Sequence, residues 1–185
     1  MLILASRSPR RREILHMLGY DFSVIASGAE ESADFSHGID DAVMNIALTK
    51  AAEIARSHPE DIVLGADTVV ALDGRVLGKP ADADDAADML RLLSGKTHTV
   101  YTGVAILGSG HQCVFCEKTQ VTFYPLDDKE IAAYVATGEP MDKAGSYGIQ
   151  GLGAVLVRRI EGDFFTVMGL PAARVCRALK AFITP

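Results

Sequence analysis

Leu2-Ile3-Leu4-Ala5-Ser6-Arg7-Ser8-Pro9-Arg10-Arg11-Arg12 joins a strand directly to a helix. Met1 to Ala5 is a short apolar run, as a buried strand requires. Ser8 stands where a helix N-cap stands, and Pro9 takes the first helical position, where a missing N–H costs nothing. Ile14, Leu15 and Leu18 recur on one face, and Gly19 sits where a C′ glycine belongs. The junction therefore carries Ser6, Ser8 and four arginines at a helix N-terminus. Free backbone N–H groups, the positive helix end and guanidinium forks together suit a polyphosphate. A solvated basic turn is the weaker reading, because arginines there oppose the helix dipole by about 0.3–1 kcal/mol each.

The rest of the chain sets that turn in an acidic context. Its 185 residues fit one domain spanning 1–185, or one domain with a lobe. The net charge of −6 argues against general nucleic-acid or membrane-surface binding, so the basic cluster suits a small anion. No apolar run is long enough to span a bilayer, and the arginines and missing cleavage site argue against a signal peptide. Cys113 and Cys116 form a C-x-x-C in a strand-like segment, where residues three apart point to opposite faces. No second ligand pair has zinc spacing, so reduced thiols in a cytoplasmic protein are expected.

In chain order, Asp21 to Ala26 reads as a second strand, and Gly28 to Asp34 as an acidic loop. Asp40 or Asp41 is expected to cap a helix that carries Lys50 and ends before Pro59. Ile62 to Val70 is a buried-strand pattern broken by Asp67. A carboxylate in so apolar a strand needs compensation by a cation, a metal or a hydrogen-bond network. Asp73-Gly74 marks a two-residue hairpin, followed by Lys79 on a stiff Gly-Lys-Pro loop. Asp82 to Leu93 reads as a helix. Gly95-Lys96-Thr97 resembles a P-loop tail, but Leu90 replaces the required glycine and the tripeptide ends a helix. Thr97–Leu107 and Cys113–Tyr124 read as a long hairpin, and Asp127 as the cap of a further helix. Glu139 to Gly153 is a glycine-rich loop that permits close backbone approach to a ligand or tight turns. Ala154–Ile160 and Phe164–Met168 are expected to be strands, and Gly169-Leu170-Pro171 to open the last helix.

These pieces carry a resemblance. Leu4-Ala5-Ser6-Arg7-Ser8-Pro9-Arg10-Arg11 is similar to the opening signature of the Maf family of nucleoside triphosphate pyrophosphatases. Gly65-Ala66-Asp67-Thr68-Val69-Val70, Gly78-Lys79-Pro80 and Ser94-Gly95-Lys96-Thr97-His98 also match, in the family's order. So do Asp142-Lys143-Ala144-Gly145-Ser146-Tyr147-Gly148-Ile149-Gln150-Gly151 and Gly169-Leu170-Pro171. The resemblance covers essentially the whole chain. It implies an elongated α/β fold of the Maf/Ham1, ITPase-like kind: a mixed β-sheet with flanking helices and a cleft between two lobes. It implies hydrolysis of a nucleoside triphosphate to monophosphate and pyrophosphate with a divalent cation, Mg²⁺ or Mn²⁺, and is compatible with a homodimer.

Residue by residue, the resemblance makes Asp67 the catalytic carboxylate, acting either as general base or as a metal ligand that activates the attacking water, and puts Glu31 in the same cleft, where it is the choice for a second metal ligand. It places Ser6, Arg10, Arg11, Lys50 and Lys79 on the triphosphate. Arg11, Thr68 and Gln150 fall where the family sets base preference, and the motifs resemble the branch acting on dTTP and UTP. Arg7 departs from relatives that carry a small residue there. A glutamine amide can meet the O4 and N3–H edge of uracil or thymine, but it can also flip toward cytosine. Backbone groups around Gln150 must therefore fix its orientation. The competing readings are a Maf enzyme of other base preference, such as 7-methyl-GTP, and a non-enzymatic nucleotide-binding regulator. A pure triphosphate binder gains nothing from a carboxylate placed beside its ligand.

Overall fold

The computed structural model describes residues 1–29, 34–108 and 110–183. Among these, seven strands form one mixed sheet in the order β2-β1-β3-β5-β6-β7, with β4 paired to β3. The chain divides into two compact units: Met1–Asp67, Thr102–Glu117 and Gly169–Pro185 make the first, and Thr68–Tyr101 with Lys118–Met168 the second.

The first unit begins with β1 (Leu2–Leu4), α1 (Pro9–Met17), β2 (Phe22–Val24) and α2 (Ile39–Ser57). β1 pairs in parallel with β2 on one side and with β3 (Ile62–Leu72) on the other, with Leu4 opposite both Val24 and Leu64. A central parallel strand is covered on both faces, which is why Leu2-Ile3-Leu4 is apolar throughout. α2 approaches the sheet backbone to backbone. A Cβ on Gly65 would stand 2.4 Å from the Ala47 carbonyl, and one on Gly103 of β5 (Thr97–Gly108) 2.3 Å from that of Val43. Ile3, Ala5, Ala47, Ala51, Val63 and Ala105 fill the resulting thin core. α6 (Ala172–Ile183) follows Gly169-Leu170-Pro171 and completes this unit.

The helix before β3 starts differently from the sequence expectation. Gly38, with φ of 106°, is its N-cap, and no side chain caps it. Asp40 and Asp41 lie inside the first turn, where their charges complement the helix dipole.

The second unit contains β4 (Arg75–Leu77), α3 (Ala83–Leu93), α4 (Asp128–Val135), β7 (Val157–Glu161) and α5 (Phe164–Met168). The β3–β4 turn has positive φ at both Asp73 and Gly74, as a type I′ hairpin demands. α4 has a full capping box between Asp127 and Glu130. β6 (His111–Phe123) pairs antiparallel with β7. The strand expected from Ala154 starts only at Val157, because Gly151–Leu156 is a 3₁₀ turn. Phe164–Met168 is a helical turn, not a strand. Asp163 decides this: its Oδ2 accepts both the Thr166 N–H (2.6 Å) and the Thr166 hydroxyl (2.8 Å), an N-cap arrangement.

Val70, Leu90, Leu93, Val121, Phe123, Ile131 and Tyr147 form the core of this unit. His98 is sealed inside it, edge-on to Phe123 and Tyr147, with its Nε2 sharing a 2.8 Å hydrogen bond with the Tyr147 hydroxyl. Burial pulls the His98 pKa down to about 4 from an ordinary 6.5, so folding holds it neutral. The unfolded chain therefore binds a proton that the folded chain refuses. That contribution is complete above pH 6.5 and is lost as pH falls toward 4. The shift corresponds to about 3 kcal/mol of acid sensitivity. Urea titrations at pH 7 and pH 4 are expected to show a pH-dependent loss smaller by that order in His98→Gln than in wild type. Equal losses would show that His98 does not set the acid limit.

Candidate active site

The turn after β1 is built by its own hydroxyls. Ala5 N–H donates to the Leu64 carbonyl (2.8 Å), which keeps the strand path one residue beyond Leu4. Ser8 caps α1 by accepting the Arg11 N–H (3.4 Å), with Pro9 behind it. Ser6 Oγ accepts twice, from the Ser8 N–H (3.2 Å) and from Arg11 Nη1 (3.1 Å). A hydroxyl that has accepted two bonds has only its proton left to give. Ser6 is thus prepared to donate to an acceptor such as a phosphate oxygen.

The four arginines separate in the structure. Arg7 and Arg12 are exposed, Arg10 is half-buried and Arg11 is buried. Arg11 Nε donates to the Gly169 carbonyl (2.8 Å), so this guanidinium is also a strut between α1 and the entry to α6. The Gly169 carbonyl gave no sequence signal, because any residue carries one. Gly169 itself has φ of 111°, a conformation that glycine accepts freely.

Asp67 and Lys50 meet. Lys50 Nζ lies 2.8 Å from Asp67 Oδ1, with both residues only 9% exposed. The sequence demanded compensation for a carboxylate in β3, and the compensation is this cation. Gly65 makes the pairing reachable: it lets Ala47 rest on β3, and Lys50 is one helical turn further along the same face. Another turn on, the Glu53 carboxylate accepts the Ser27 hydroxyl, the Ala29 N–H (2.9 Å) and the Gly28 N–H (3.3 Å). The Ser27 bond in particular lowers its pKa. Glu53 was missed by sequence reasoning, although its spacing from Lys50 puts it on the same face. It anchors the chain just before residues 30–33. Glu31, expected as a metal ligand, lies among those four and outside the described residues.

The parallel register relates the turn to the carboxylate. With Leu4 opposite Leu64, Ser6 and Asp67 follow the paired segments of adjacent strands by two and three residues. The strand order β2-β1-β3 reverses direction at β1. Ligands of open α/β sheets bind outside the carboxyl ends of strands at such a switch point.

Thr68, Lys79 and Gln150 belong to the second unit. Thr68 is half-buried in β3, and Lys79 is exposed beyond β4. The Gly78 carbonyl accepts the Gly145 N–H (3.0 Å), joining the Lys79 loop to the glycine-rich loop. Gln150 Oε1 is buried without a hydrogen-bond partner among the described residues. An acceptor so placed costs about 1–3 kcal/mol until something donates to it.

Among the described residues, no three His, Cys, Asp or Glu side chains gather so as to hold a metal ion. Mg²⁺ does not need such a cage: it is held through one or two carboxylates together with substrate phosphate oxygens. The buried Asp67 carboxylate, on the strand next to the one that leads into the Ser6–Arg11 turn, fits that donor set.

Comparison with known proteins agrees with the layout. A family model described as Maf-like protein matches residues 1–182. A dTTP/UTP pyrophosphatase of Bacillus cytotoxicus is 54% identical over 180 residues, covering 97% of this chain and 94% of that protein. One from Bacillus mycoides is 51% identical over 181 residues, covering 98% and 95%. Among solved structures, the Ham1 protein of Staphylococcus aureus shares the fold with a TM-score of 0.54, at 14% identity over 98% of this chain and 97% of that one. The matched span holds the β1–α1 turn, the carboxylate of β3 and the glycine-rich loop alike: the chain belongs to the Maf family.

Proposed function

We infer that the protein hydrolyses dTTP and UTP to the monophosphate and pyrophosphate, clearing nucleotides from the cytoplasmic pool as a single domain over residues 1–185. The observation that carries this reading is the Lys50–Asp67 pair in β3, one strand away from the Ser6–Arg11 turn at a switch point of the sheet. The relatives named dTTP/UTP pyrophosphatase support the substrate. Among the described residues no helix is long and apolar enough to cross a membrane.

The chemistry needs little covalent work from the protein. Water attacks the α-phosphorus, the bond from that phosphorus to the α–β bridging oxygen breaks, and pyrophosphate leaves. Positioning and charge neutralisation dominate such transfers. Ser6 donates its remaining proton to a phosphate oxygen, and Arg10 and Lys79 supply cations. Arg11 braces Ser6 while it is itself braced by Gly169. Asp67 accepts the proton of the attacking water or orients that water, and Lys50 holds the carboxylate in place. A divalent cation held by Asp67 and Glu31 would neutralise phosphate oxygens and make the water more acidic. Gln150 Oε1 accepts the N3–H of uracil or thymine, a proton that cytosine lacks.

The test is a panel of dTTP, UTP, CTP, GTP and 7-methyl-GTP with Mg²⁺, resolving pyrophosphate from orthophosphate. The expected result is pyrophosphate as first product, with kcat/KM highest for dTTP and UTP. Orthophosphate with a nucleoside diphosphate would overturn the reaction, and a guanine nucleotide at the top would overturn the base preference.

A further inference from the structure

A glutamine reads a base only if its amide is held in one orientation. The segment on either side of Gln150 is held by two side chains that the proposed reaction does not use. The Tyr134 hydroxyl accepts the Gly148 N–H (3.1 Å) and donates to Glu139 Oε1 (2.9 Å). Glu139 Oε1 also accepts the Gly153 N–H (3.0 Å), and Oε2 accepts the Leu152 N–H (3.0 Å). Three backbone N–H groups, one before Gln150 and two after it, thus converge on one phenol–carboxylate pair. Lys143 completes the bracket by donating to the Glu139 carbonyl and to Asp142 Oδ1 (2.7 Å).

The glycines of this segment are where the bracket touches the backbone. A Cβ on Gly153 would lie 2.5 Å from the Tyr134 hydroxyl oxygen and 2.4 Å from the Gly148 carbonyl. One on Gly151, already at φ of 78°, would lie 2.8 Å from Glu139 Oε2. One on Gly148 would lie 2.9 Å from Lys143 Cε. The glycine spacing is therefore the imprint of Tyr134, Glu139 and Lys143 on the loop. Only the Gln150 side chain projects a reading group from the tightly bracketed stretch 148–153.

We propose that Tyr134 and Glu139 are positioning residues for base selection: they clamp the backbone around Gln150 so that its amide presents one fixed edge to the pyrimidine. This rests on Gln150 contacting the base. Glu139 carries charge because its partners are donors. Burial works against the ionised form, but the N–H groups of Leu152 and Gly153 outweigh it and lower the pKa. A carboxylate can accept all of these bonds at once, whereas an amide in its place turns a donor toward one of the N–H groups.

The experiment compares kcat/KM for dTTP and for CTP in Tyr134→Phe, Glu139→Gln and Gln150→Ala, with melting temperature measured alongside. Gln150→Ala is expected to collapse the preference for dTTP over CTP, because rejection needs a site with fixed polar groups. Tyr134→Phe keeps the ring and loses only the hydroxyl. It is expected to lower the same preference about tenfold, through misplacement of a reading group, while kcat for dTTP stays within about threefold. Glu139→Gln is expected to lower the preference further, and Glu139→Asp to restore part of it. A uniform fall in rate for both nucleotides at unchanged preference would overturn the clamp and leave Tyr134 and Glu139 as structural residues only. An unchanged preference in Gln150→Ala would overturn the reading of Gln150, and the clamp with it. Collapse in Gln150→Ala beside full preference in the other variants would overturn the clamp alone.

Discussion

Asp67→Asn is expected to fold, to bind dTTP, and to turn it over about 10²–10⁴ times more slowly, the usual loss for a positioned general base. The asparagine is nearly isosteric and keeps a carbonyl oxygen where Asp67 Oδ1 accepts from Lys50 Nζ. The 2.8 Å bond therefore survives in weaker form, and the strand stays packed. What disappears is the negative charge that takes a proton or holds a cation. Single-turnover kinetics with separate nucleotide-binding measurements distinguish loss of chemistry from loss of affinity. A variant retaining more than about a tenth of wild-type kcat, well outside the general-base range, would remove Asp67 from the reaction.

Lys50→Met inverts the pattern. Methionine fills the same volume but leaves the carboxylate of Asp67 in β3 without this ammonium. Breaking a buried pair from one side costs about 3–5 kcal/mol, because a desolvated charge loses its partner. For a domain whose whole stability is about 5–15 kcal/mol, that is a large share. Urea unfolding should show it directly, and turnover should fall with it. The double variant Lys50→Met, Asp67→Asn is expected to recover part of the stability and none of the activity, since the desolvated charge is gone and a buried amide without this partner costs less than a buried charge. If Lys50→Met is as stable as wild type, the pair contributes nothing to the fold.

These two residues also show how far the sequence could be read. Asp67 was legible because a carboxylate in the run Ile62 to Val70 violates the pattern around it, and the pattern requires a reason. Lys50 was not legible from local physics. A lysine inside an amphipathic helix looks solvated, and only the close approach of α2 at Gly65 brings it to β3. The β1–α1 turn was legible down to its cap, because capping is local chemistry. The division of labour among its arginines was not, because Arg11 is fixed by a carbonyl 158 residues away. The strand expected at Phe164–Met168 is the exception, because what overturned it is local. The β-forming residues there were counted, but the Asp163 cap overrides them with two short bonds. Tyr134 on its helix and Glu139 at the start of the glycine-rich loop carried no sequence signal of a positioning role, since what marks them is convergence of backbone N–H groups.

The strut from Arg11 to Gly169 has a consequence for how the protein is made. The first unit is assembled from three separate stretches of chain, and the bond that steadies its β1–α1 turn joins the first of these to the third. Chains emerge from the ribosome N-terminus first, and contacts of long sequence separation form late because their loops must close beforehand. A nascent chain therefore displays Ser6 and its arginines long before the carbonyl that orders Arg11 exists. Until Gly169 arrives, Arg11 lacks the carbonyl to which its Nε donates in the folded protein. The bond that fixes Arg11 is thus among the last that this unit can form.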